Sequence, residues 1–190
     1  MILYHGTDYK AWRNIQKTIN VSINFTNERE LDFGYGFYLS SRKWYAVYSA
    51  RSKALAEMFQ EDYNADEDYP VVISCDVDVD SILSNVETKS LIHKYKTRQF
   101  LNDVFTARFY RAGIDTLNVD FVCAPISDGW LSQLMRWYKK KPTKLRRIVC
   151  KLGYLLPVPA KQYIIKKQEL CKYVKIISCE PVKVKGGKRR

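Results

Sequence analysis

Two glycines separated by a single residue stand directly before an aromatic run in the segment FGYGFY, residues 33–38. This pattern demands a tight turn or a close backbone approach, because glycine alone enters left-handed conformations without steric cost. A dinucleotide-binding fingerprint is excluded, since its third glycine is absent and a strand-like run follows instead of a helix. A Walker phosphate loop is excluded because no Gly-Lys-Ser/Thr sequence occurs. The spacing alone favours a hairpin turn with core aromatics.

Segments with strand and helix character follow one another without strict alternation. Apolar and β-branched runs predict strands at residues 2–4, 37–39, 71–77, 121–124, 162–165 and 174–178. Apolar residues at helical spacing predict helices at 9–18, 42–59, 91–110, 131–138 and 143–152. Asp8 and Ser41 are the expected N-caps of the first two of these helices. This order predicts an α+β fold of split antiparallel β-sheets with surrounding helices. We expect a single domain over residues 1–180 and a basic flexible tail over residues 181–190.

Composition narrows the class of protein. Hydrophobic residues make up 46% and charged residues 27% of the 190 residues, which is a folded rather than a disordered balance. No stretch approaches the roughly 18 apolar residues of a membrane-spanning helix, and the N-terminus lacks the pattern of a signal peptide. The five cysteines are odd in number and form no CxxC pair, so we expect buried free thiols in a reducing cytoplasm and no metal site.

Positive charge is concentrated at the C-terminal end. Residues 136–190 contain 18 lysines and arginines against two acids, whereas residues 1–135 contain 14 against 18. Such a field attracts polyanions, so we expect a nucleic acid or an acidic protein as a partner. A solvated basic face that only aids solubility is the alternative interpretation.

Histidine occurs only twice, as His5 and His93. His5 lies at the end of a predicted strand and precedes Gly6, where the backbone can approach a ligand closely. A single histidine at a strand end is nevertheless more often structural than functional. His93 falls within a predicted helix, for which a surface position is the default expectation.

The two motifs together resemble the ADP-ribosyltransferase superfamily. In its diphtheria-toxin and poly(ADP-ribose)-polymerase branch, with a His-Tyr-Glu signature, a His-Gly-Thr motif on the first strand precedes a glycine-rich segment similar to residues 33–40. Residues 120–128 look like the central strand motif of a small, uncharacterised bacterial family in that superfamily, and residues 162–165 stand at its third motif. The resemblance covers the chain from about Leu3 to about Ile176.

The resemblance implies an NAD+ site that begins at the first strand. His5 would hydrogen-bond the adenosine ribose of NAD+, and Gly6 would hold the nicotinamide carboxamide through its backbone N–H and C=O. A glycine suits this contact because no side chain stands in the way. Thr7 and Gly36 belong to the same two motifs and complete the expected NAD+ contacts.

The resemblance also implies an aromatic sandwich around the nicotinamide ring. Tyr38 would stack on one face of the ring, and either Tyr45 or Tyr48 from the following helix would close the other. The spacing slightly favours Tyr48. A flat cationic ring suits an aromatic face through stacking and cation–π attraction.

The third motif departs from the family pattern, because Gln162 stands where the family has glutamate. Cleavage of the glycosidic bond develops oxocarbenium-like charge on the ribose, which a carboxylate stabilises. Gln162 can hydrogen-bond a ribose hydroxyl but brings no negative charge. Asp120, Asp128 or Glu169 could supply that charge, or a carboxylate of the substrate could, and the sequence does not select among these.

Three functional hypotheses follow. The first is a mono-ADP-ribosyltransferase that moves ADP-ribose from NAD+ to a protein or nucleic acid, as a bacterial or phage toxin held by an acidic antitoxin, with Gln162 and Tyr38 as catalytic candidates. The second is a catalytically weak or inactive NAD+-binding or partner-binding module of the same fold. The third is a basic nucleic-acid-binding protein, which leaves the glycine-rich segment unexplained.

Overall fold

A computed structural model describes residues 1–22, 31–59, 64–109, 117–126 and 160–183. The strands are β1 (Ile2–Asp8), β2 (Phe37–Ser40), β3 (Pro70–Val77), β4 (Ser90–Ile92), β5 (Phe121–Pro125), β6 (Lys161–Ile165) and β7 (Val174–Pro181). The helices are α1 (Tyr9–Ile15), α2 (Lys43–Glu57), α3 (Val79–Ser84) and α4 (Arg98–Phe109), followed by a 3₁₀ helix (Gln168–Tyr173).

The strands form one open, seven-stranded sheet in the order β4-β5-β6-β2-β1-β3-β7. β4 and β5 are parallel, and the other neighbouring strands within the described residues are antiparallel. Helices cover the sheet, so the fold is mixed α and β and agrees with the predicted α+β class. The strands predicted at 71–77, 121–124, 162–165 and 174–178 are confirmed as β3, β5, β6 and β7.

The sheet is nearly divided between β1 and β2. In the described residues these two strands pair at a single position, Tyr4 with Ser40. β1 and β3, by contrast, pair along the whole length of β1, from Ile2 to Asp8. One half of the sheet therefore consists of β4, β5, β6 and β2, the other half consists of β1, β3 and β7, and the two separate beyond Tyr4.

Each face of the sheet carries its own apolar cluster. Odd-numbered residues of β2 and β6, such as Phe37 and Ile165, belong to a large cluster that α1 and α3 cover. Even-numbered neighbours, such as Tyr38 and Ile164, belong to or pack against a smaller cluster that includes Phe100 from α4. This division follows from the alternation of side chains along each strand.

Helix α2 lies very close to β1 because the residues in contact have small side chains or none. Ala46, Ala50 and Ala54 recur every four residues, which places them on one face of the helix, and all three are buried. A Cβ built on Gly6 would stand 1.9 Å from the backbone oxygen of Ala46. Only glycine fits at this point of β1, so packing against α2 by itself accounts for Gly6.

The helix predicted over residues 91–110 is wrong in its first part. Residues 90–92 pair with β5 as an edge strand, and α4 begins only at Arg98. Pairing with a neighbouring strand outweighs the local helical spacing, which is a weak preference. His93 therefore follows a strand and is buried, with Nε2 2.8 Å from Oδ2 of Asp103, instead of lying on a helix surface.

One predicted helix cap is confirmed and one is wrong. Asp8 caps α1 by accepting a hydrogen bond from a first-turn N–H at 2.6 Å. Ser41 does not cap α2, because its hydroxyl oxygen accepts from the N–H of Lys161 at the start of β6. The oxygen of Ser40 instead accepts from the N–H of Arg42 at 3.1 Å.

Several predictions concern segments outside the described residues. These are the helices at 131–138 and 143–152, and residues 184–190 of the tail predicted over residues 181–190, whose first residue ends β7. Among the described thiols, Cys75 and Cys123 are buried, whereas Cys171 and Cys179 are partly exposed. In the described part of the chain, every helix is too short or too polar to cross a membrane.

Candidate functional site

The backbone edge of Gly6 points toward the division in the sheet. The odd-numbered residues that flank β1 hydrogen-bond toward the β3 side: the N–H of Val77 donates to the Met1 oxygen, and the N–H of Tyr9 donates to the Tyr69 oxygen. The register between β1 and β3 is regular, and hydrogen bonding alternates in direction along an antiparallel strand. The N–H and C=O of Gly6 therefore face away from β3, toward β2.

The register of β1 and β2 relates Gly6 to Tyr38. The pair Tyr4–Ser40 sets the register, and its continuation would place Gly6 opposite Tyr38. The described pairing of β1 with β2 stops before that position, so the two strands separate where the two sequence motifs meet. The N–H and C=O of Gly6 lie on the edge of β1 that faces this division, where the amide of a ligand can hydrogen-bond them.

His5 bridges the division. Its Nδ1 lies 2.7 Å from the carbonyl oxygen of Tyr38, and its ring packs against Phe37 with centroids 4.6 Å apart. Because a carbonyl only accepts, Nδ1 carries the proton and Nε2 is left as an acceptor. Burial lowers the pKa of His5 to about 4, against the opposing effect of the Tyr38 hydrogen bond. The imidazole is therefore neutral at pH 7, with an acceptor nitrogen that suits a ribose hydroxyl.

The lowered pKa of His5 predicts a specific dependence of stability on pH. Between about pH 6.5 and pH 4 the unfolded chain binds a proton on this imidazole and the native chain does not, so native stability falls as pH falls. His5→Asn keeps an amide donor for Tyr38 but does not titrate. Over this pH range, we expect the free energy of unfolding of the wild type to fall by about 2–3 kcal/mol more than that of the variant. Urea unfolding at several pH values measures this difference, and parallel curves would contradict the neutral state of the partly buried His5.

The glycine-rich segment forms a turn held by Tyr38. Gly34 and Gly36 have φ values of 77° and 145°, which confirms the need for glycine at both positions. The Tyr38 hydroxyl donates to the Gly34 oxygen at 2.6 Å and accepts from the N–H of Phe33 at 3.2 Å. Tyr38 is therefore held in one orientation, with part of its ring packed against the smaller apolar cluster. A side chain fixed in this way presents a preorganised face to a ligand.

A buried lysine that the sequence analysis missed supports the same turn. Lys166 follows β6 directly, is only 3% exposed, and donates from Nζ to the Phe33 oxygen at 2.7 Å. Its Nζ also lies 4.9 Å from the centroid of the Tyr35 ring, a distance typical of a cation–π contact. The apolar strand before Lys166 was the available sequence signal, because a lysine that ends a buried strand needs a partner.

The two candidate tyrosines of α2 differ in exposure. Tyr45 is partly buried, and its ring lies between those of Trp44 and Tyr48, at centroid distances of 5.7 and 6.2 Å. Tyr48 is 58% exposed. These rings form an aromatic row on the helix that packs against Gly6. Tyr48 has the more accessible ring of the two.

Gln162 lies at the base of the division and is tied to a carboxylate that the sequence analysis did not single out. It is the register partner of Ser40, the residue that closes the β1–β2 pairing. Gln162 Nε2 donates to Asp32 Oδ2 at 2.8 Å and to the Pro125 oxygen at 3.0 Å. Both Gln162 and Asp32 are 6% exposed. The sequence signal was an acid placed directly before the aromatic glycine-rich segment.

The carboxylates proposed from sequence as substitutes lie elsewhere. Asp120 accepts from the N–H of Lys89 at 2.9 Å, and Glu169 is exposed on the 3₁₀ helix. Asp128 lies outside the described residues. Of the described carboxylates, Asp32 is the one that hydrogen-bonds Gln162.

Thr7 belongs to a buried polar cluster beside α2 rather than to the edge of the division. Its hydroxyl accepts from Lys53 Nζ at 3.0 Å and donates to Asp8 at 3.3 Å. Lys53 also forms an ion pair with Asp8, and this pairing outweighs burial and holds the pKa of Asp8 below its usual value. Asp8, Glu57 and Asp68 carry oxygens within 4.8 Å of one another, which is compatible with a metal ion. Lys53 already neutralises part of that charge from inside the chain.

Comparison with family models, with curated proteins and with solved structures finds no match. Assignment of a function therefore depends on the geometry of the site. That geometry brings His5, Gly6 and Tyr38 together at the division of the sheet, with Gln162 at its base. The turn at Gly36 borders this region, and Tyr45 and Tyr48 project from the adjoining helix.

Proposed function

We propose that this protein has an ADP-ribosyltransferase-like fold and transfers a single ADP-ribose from NAD+ to a macromolecule. The observation that carries the proposal is the division of the sheet at Gly6 and Tyr38, bridged by His5. Two motifs that are distant in the sequence meet there, and they bring a backbone edge, a neutral imidazole and an aromatic ring to one place. The resemblance assigns the backbone edge and the aromatic ring to the nicotinamide of NAD+, and the imidazole to its adenosine ribose.

Each group has a defined role in binding. The Gly6 N–H donates to the carboxamide oxygen of NAD+, and the Gly6 C=O accepts from the carboxamide N–H₂. Nε2 of His5 accepts a hydrogen bond from a hydroxyl of the adenosine ribose. Tyr38 stacks on the cationic nicotinamide, and Tyr48 covers the other face of the ring.

The reaction exchanges one bond to the anomeric carbon for another. The bond from C1′ of the ribose to the nicotinamide nitrogen breaks, and nicotinamide leaves with the bonding electron pair as a neutral molecule. A nucleophilic atom of the acceptor forms the new bond to C1′ and loses its proton. Gln162 accepts from a ribose hydroxyl while positive charge develops on the ring.

The distribution of charge supports a polyanionic partner. The strongly basic region from residue 136 to the C-terminus, largely outside the described residues, suits a nucleic-acid acceptor or an acidic antitoxin. We propose a toxin-type protein because the motifs resemble a superfamily whose small members are often toxins, and a cytoplasmic location because of the free thiols. Co-purification of the tagged chain with the acidic product of an adjacent gene is the expected result.

Incubation with NAD+ tests the proposal directly. We expect NAD+ carrying a label on its adenylate to modify protein or nucleic acid in a cell extract, with release of free nicotinamide. Isothermal titration calorimetry of the purified chain measures NAD+ binding separately from transfer. Absence of both binding and labelling would overturn the proposed function.

Removal of the outer aromatic ring is expected to weaken NAD+ binding. Tyr48→Ala deletes a ring that stacks on the nicotinamide, and a cation–π contact of this kind corresponds to a loss of affinity of about tenfold. Tyr95→Ala is the matched control, because Tyr95 is 60% exposed and Tyr48 58%, and Tyr95 lies beyond β4. Calorimetric titration of both variants measures the difference. Equal dissociation constants would assign the sandwich to another side chain, with Tyr45 as the next candidate.

A second function is favoured by one observation, the uncharged amide of Gln162. A chain that binds NAD+ or a partner without transferring ADP-ribose would keep the cleft and lack the reaction. Saturable NAD+ binding together with no release of nicotinamide is the outcome that distinguishes this module from the enzyme.

A further inference from the structure

Asp32 and Gln162 form a buried pair beside the division of the sheet. The amide nitrogen of Gln162 has two partners, the Asp32 carboxylate at 2.8 Å and the Pro125 carbonyl at 3.0 Å. Both residues are more than nine-tenths buried. Hydrogen bonds to an ionised group are stronger than neutral ones, so this contact strongly restricts the Gln162 side chain.

The chemistry of the two partners decides which way the amide points. A carboxylate and a backbone carbonyl only accept hydrogen bonds, so the N–H₂ group of Gln162 must face them. The opposite orientation would place three acceptor oxygens together in a buried site, which is costly. Oε1 is therefore directed away from both partners, and among the described residues none donates to it.

The negative charge of Asp32 also acts on a group other than Gln162. Lys96 is a second buried titratable residue, and its pKa is lowered by burial while the negative charge of Asp32 opposes that lowering. A carboxylate that accepts from an amide N–H also polarises the amide, which makes its oxygen a stronger acceptor. The pair thus combines the geometry of an amide with part of the electrostatic effect of a carboxylate.

We propose that Asp32 is a positioning residue that fixes Gln162, so that Oε1 accepts from a hydroxyl of the nicotinamide ribose. The proposal rests on the proposed function, because the ribose belongs to bound NAD+. The buried charge of Asp32 stabilises the positive charge that develops on the ribose, acting through the polarised amide. Asp32 and Gln162 together take the place of a single glutamate.

The pair changes what Gln162→Glu is expected to do. In an isolated position this substitution would simply add a catalytic charge. Here it places a second carboxylate within hydrogen-bond distance of Asp32, where the two can remain together only by sharing a proton. We therefore expect the Gln162→Glu variant to be less stable than the wild type at pH 8, and this loss of stability to be smaller at pH 5.

Exchange of the two groups is the sharpest test. Asp32→Asn combined with Gln162→Glu restores an amide donor facing a carboxylate, with the positions reversed. We expect the double variant to lose the pH-dependent destabilisation of the single variant. It should also release nicotinamide at least about tenfold faster than Gln162→Glu does at pH 8, because its carboxylate is then ionised at the ribose.

Single substitutions at Asp32 separate charge from position. Asp32→Asn keeps an acceptor oxygen for Gln162 and removes the charge, whereas Asp32→Ala removes both. We expect kcat for nicotinamide release to fall about tenfold in the first and further in the second, with KM for NAD+ changed less than about threefold in the first. Asp120→Asn is the control, because it neutralises a carboxylate that accepts from Lys89 and not from Gln162.

The possible results have separate meanings. An unchanged kcat and pH profile in both Asp32 variants, in a chain that binds NAD+, overturns the positioning role and leaves the proposed function intact. No NAD+ binding by the wild type overturns both, even if the pH-dependent coupling of residues 32 and 162 is found. Retention of partial activity in Asp32→Asn, its loss in Asp32→Ala and its recovery in the exchanged pair support the proposal.

Discussion

Gly6→Ala is expected to lower the free energy of unfolding by at least about 3 kcal/mol, because the new methyl group has no room. Its Cβ would stand 1.9 Å from the oxygen and 2.8 Å from the carbon of the Ala46 carbonyl group. These are backbone atoms of α2, so the whole helix has to move away from β1. Urea unfolding followed by circular dichroism measures the loss.

Gly34→Ala is the matched control for this substitution. Gly34 has a φ of 77°, but the nearest atom to its built Cβ is Nζ of Lys166 at 3.6 Å, which is an ordinary van der Waals distance. The cost there is that of a left-handed alanine, about 1–2 kcal/mol. A Gly6→Ala variant no less stable than Gly34→Ala would show that α2 does not pack closely on β1. The expected order therefore distinguishes steric conflict with a helix from backbone strain in a turn.

Lys53→Met is expected to destabilise the fold by about 2–3 kcal/mol at neutral pH. The substitution keeps the apolar stem of the side chain and removes its charge. Asp8, whose side chain is only 4% exposed, would be left without its cation, and Thr7 would lose a hydrogen-bond donor. The estimate lies below the range for a fully buried pair because the Lys53 side chain is 22% exposed.

The loss in Lys53→Met should also depend on pH. Lys53 holds the pKa of Asp8 below its usual value of 3.8, so the stability from this pair is present above that pH and disappears as pH falls through the lowered pKa. The difference between wild type and variant should therefore shrink in acid. Chemical unfolding at about pH 7 and about pH 3 measures it.

Lys43→Met provides the comparison on the same helix. Lys43 pairs with Glu180 at 2.7 Å, but both side chains are about half exposed. Exposed pairs contribute little, so we expect a change within about 0.5 kcal/mol. Equal effects of the two lysine substitutions would contradict the special role of the Lys53–Asp8 pair.

Local sequence signals were sufficient where a segment pairs or packs in the most common way. The β-branched run at 71–77 becomes the strand β3, and Asp8 caps α1 as its position predicts. The need for glycine at 34 and 36 is also a local property, because it follows from the backbone conformation of one short turn. In these cases the interactions that decide the conformation lie within a few residues of one another.

Local signals failed where a distant segment decides. Residues 90–92 form a strand because they pair with the edge of β5. The paired residues Ser90 and Phe121 are 31 positions apart in the sequence. His93 is buried for the same reason. The N-cap assigned to Ser41 is wrong because its hydroxyl is used by the N–H of Lys161, which no spacing within α2 could indicate.

The candidate site shows both sides of this distinction. His5-Gly6-Thr7 and residues 33–38 identify themselves in the sequence through unusual residues in a fixed order. The sequence alone singled out the glycines and aromatic rings of these motifs, because these residue types have special backbone and stacking properties wherever they stand. Only the tertiary structure decided that β1 and β2 separate beyond Tyr4, where His5 contacts Tyr38, and that Gln162 is joined to Asp32. Those relations depend on strand order and register, which are set by contacts between segments as much as 130 residues apart.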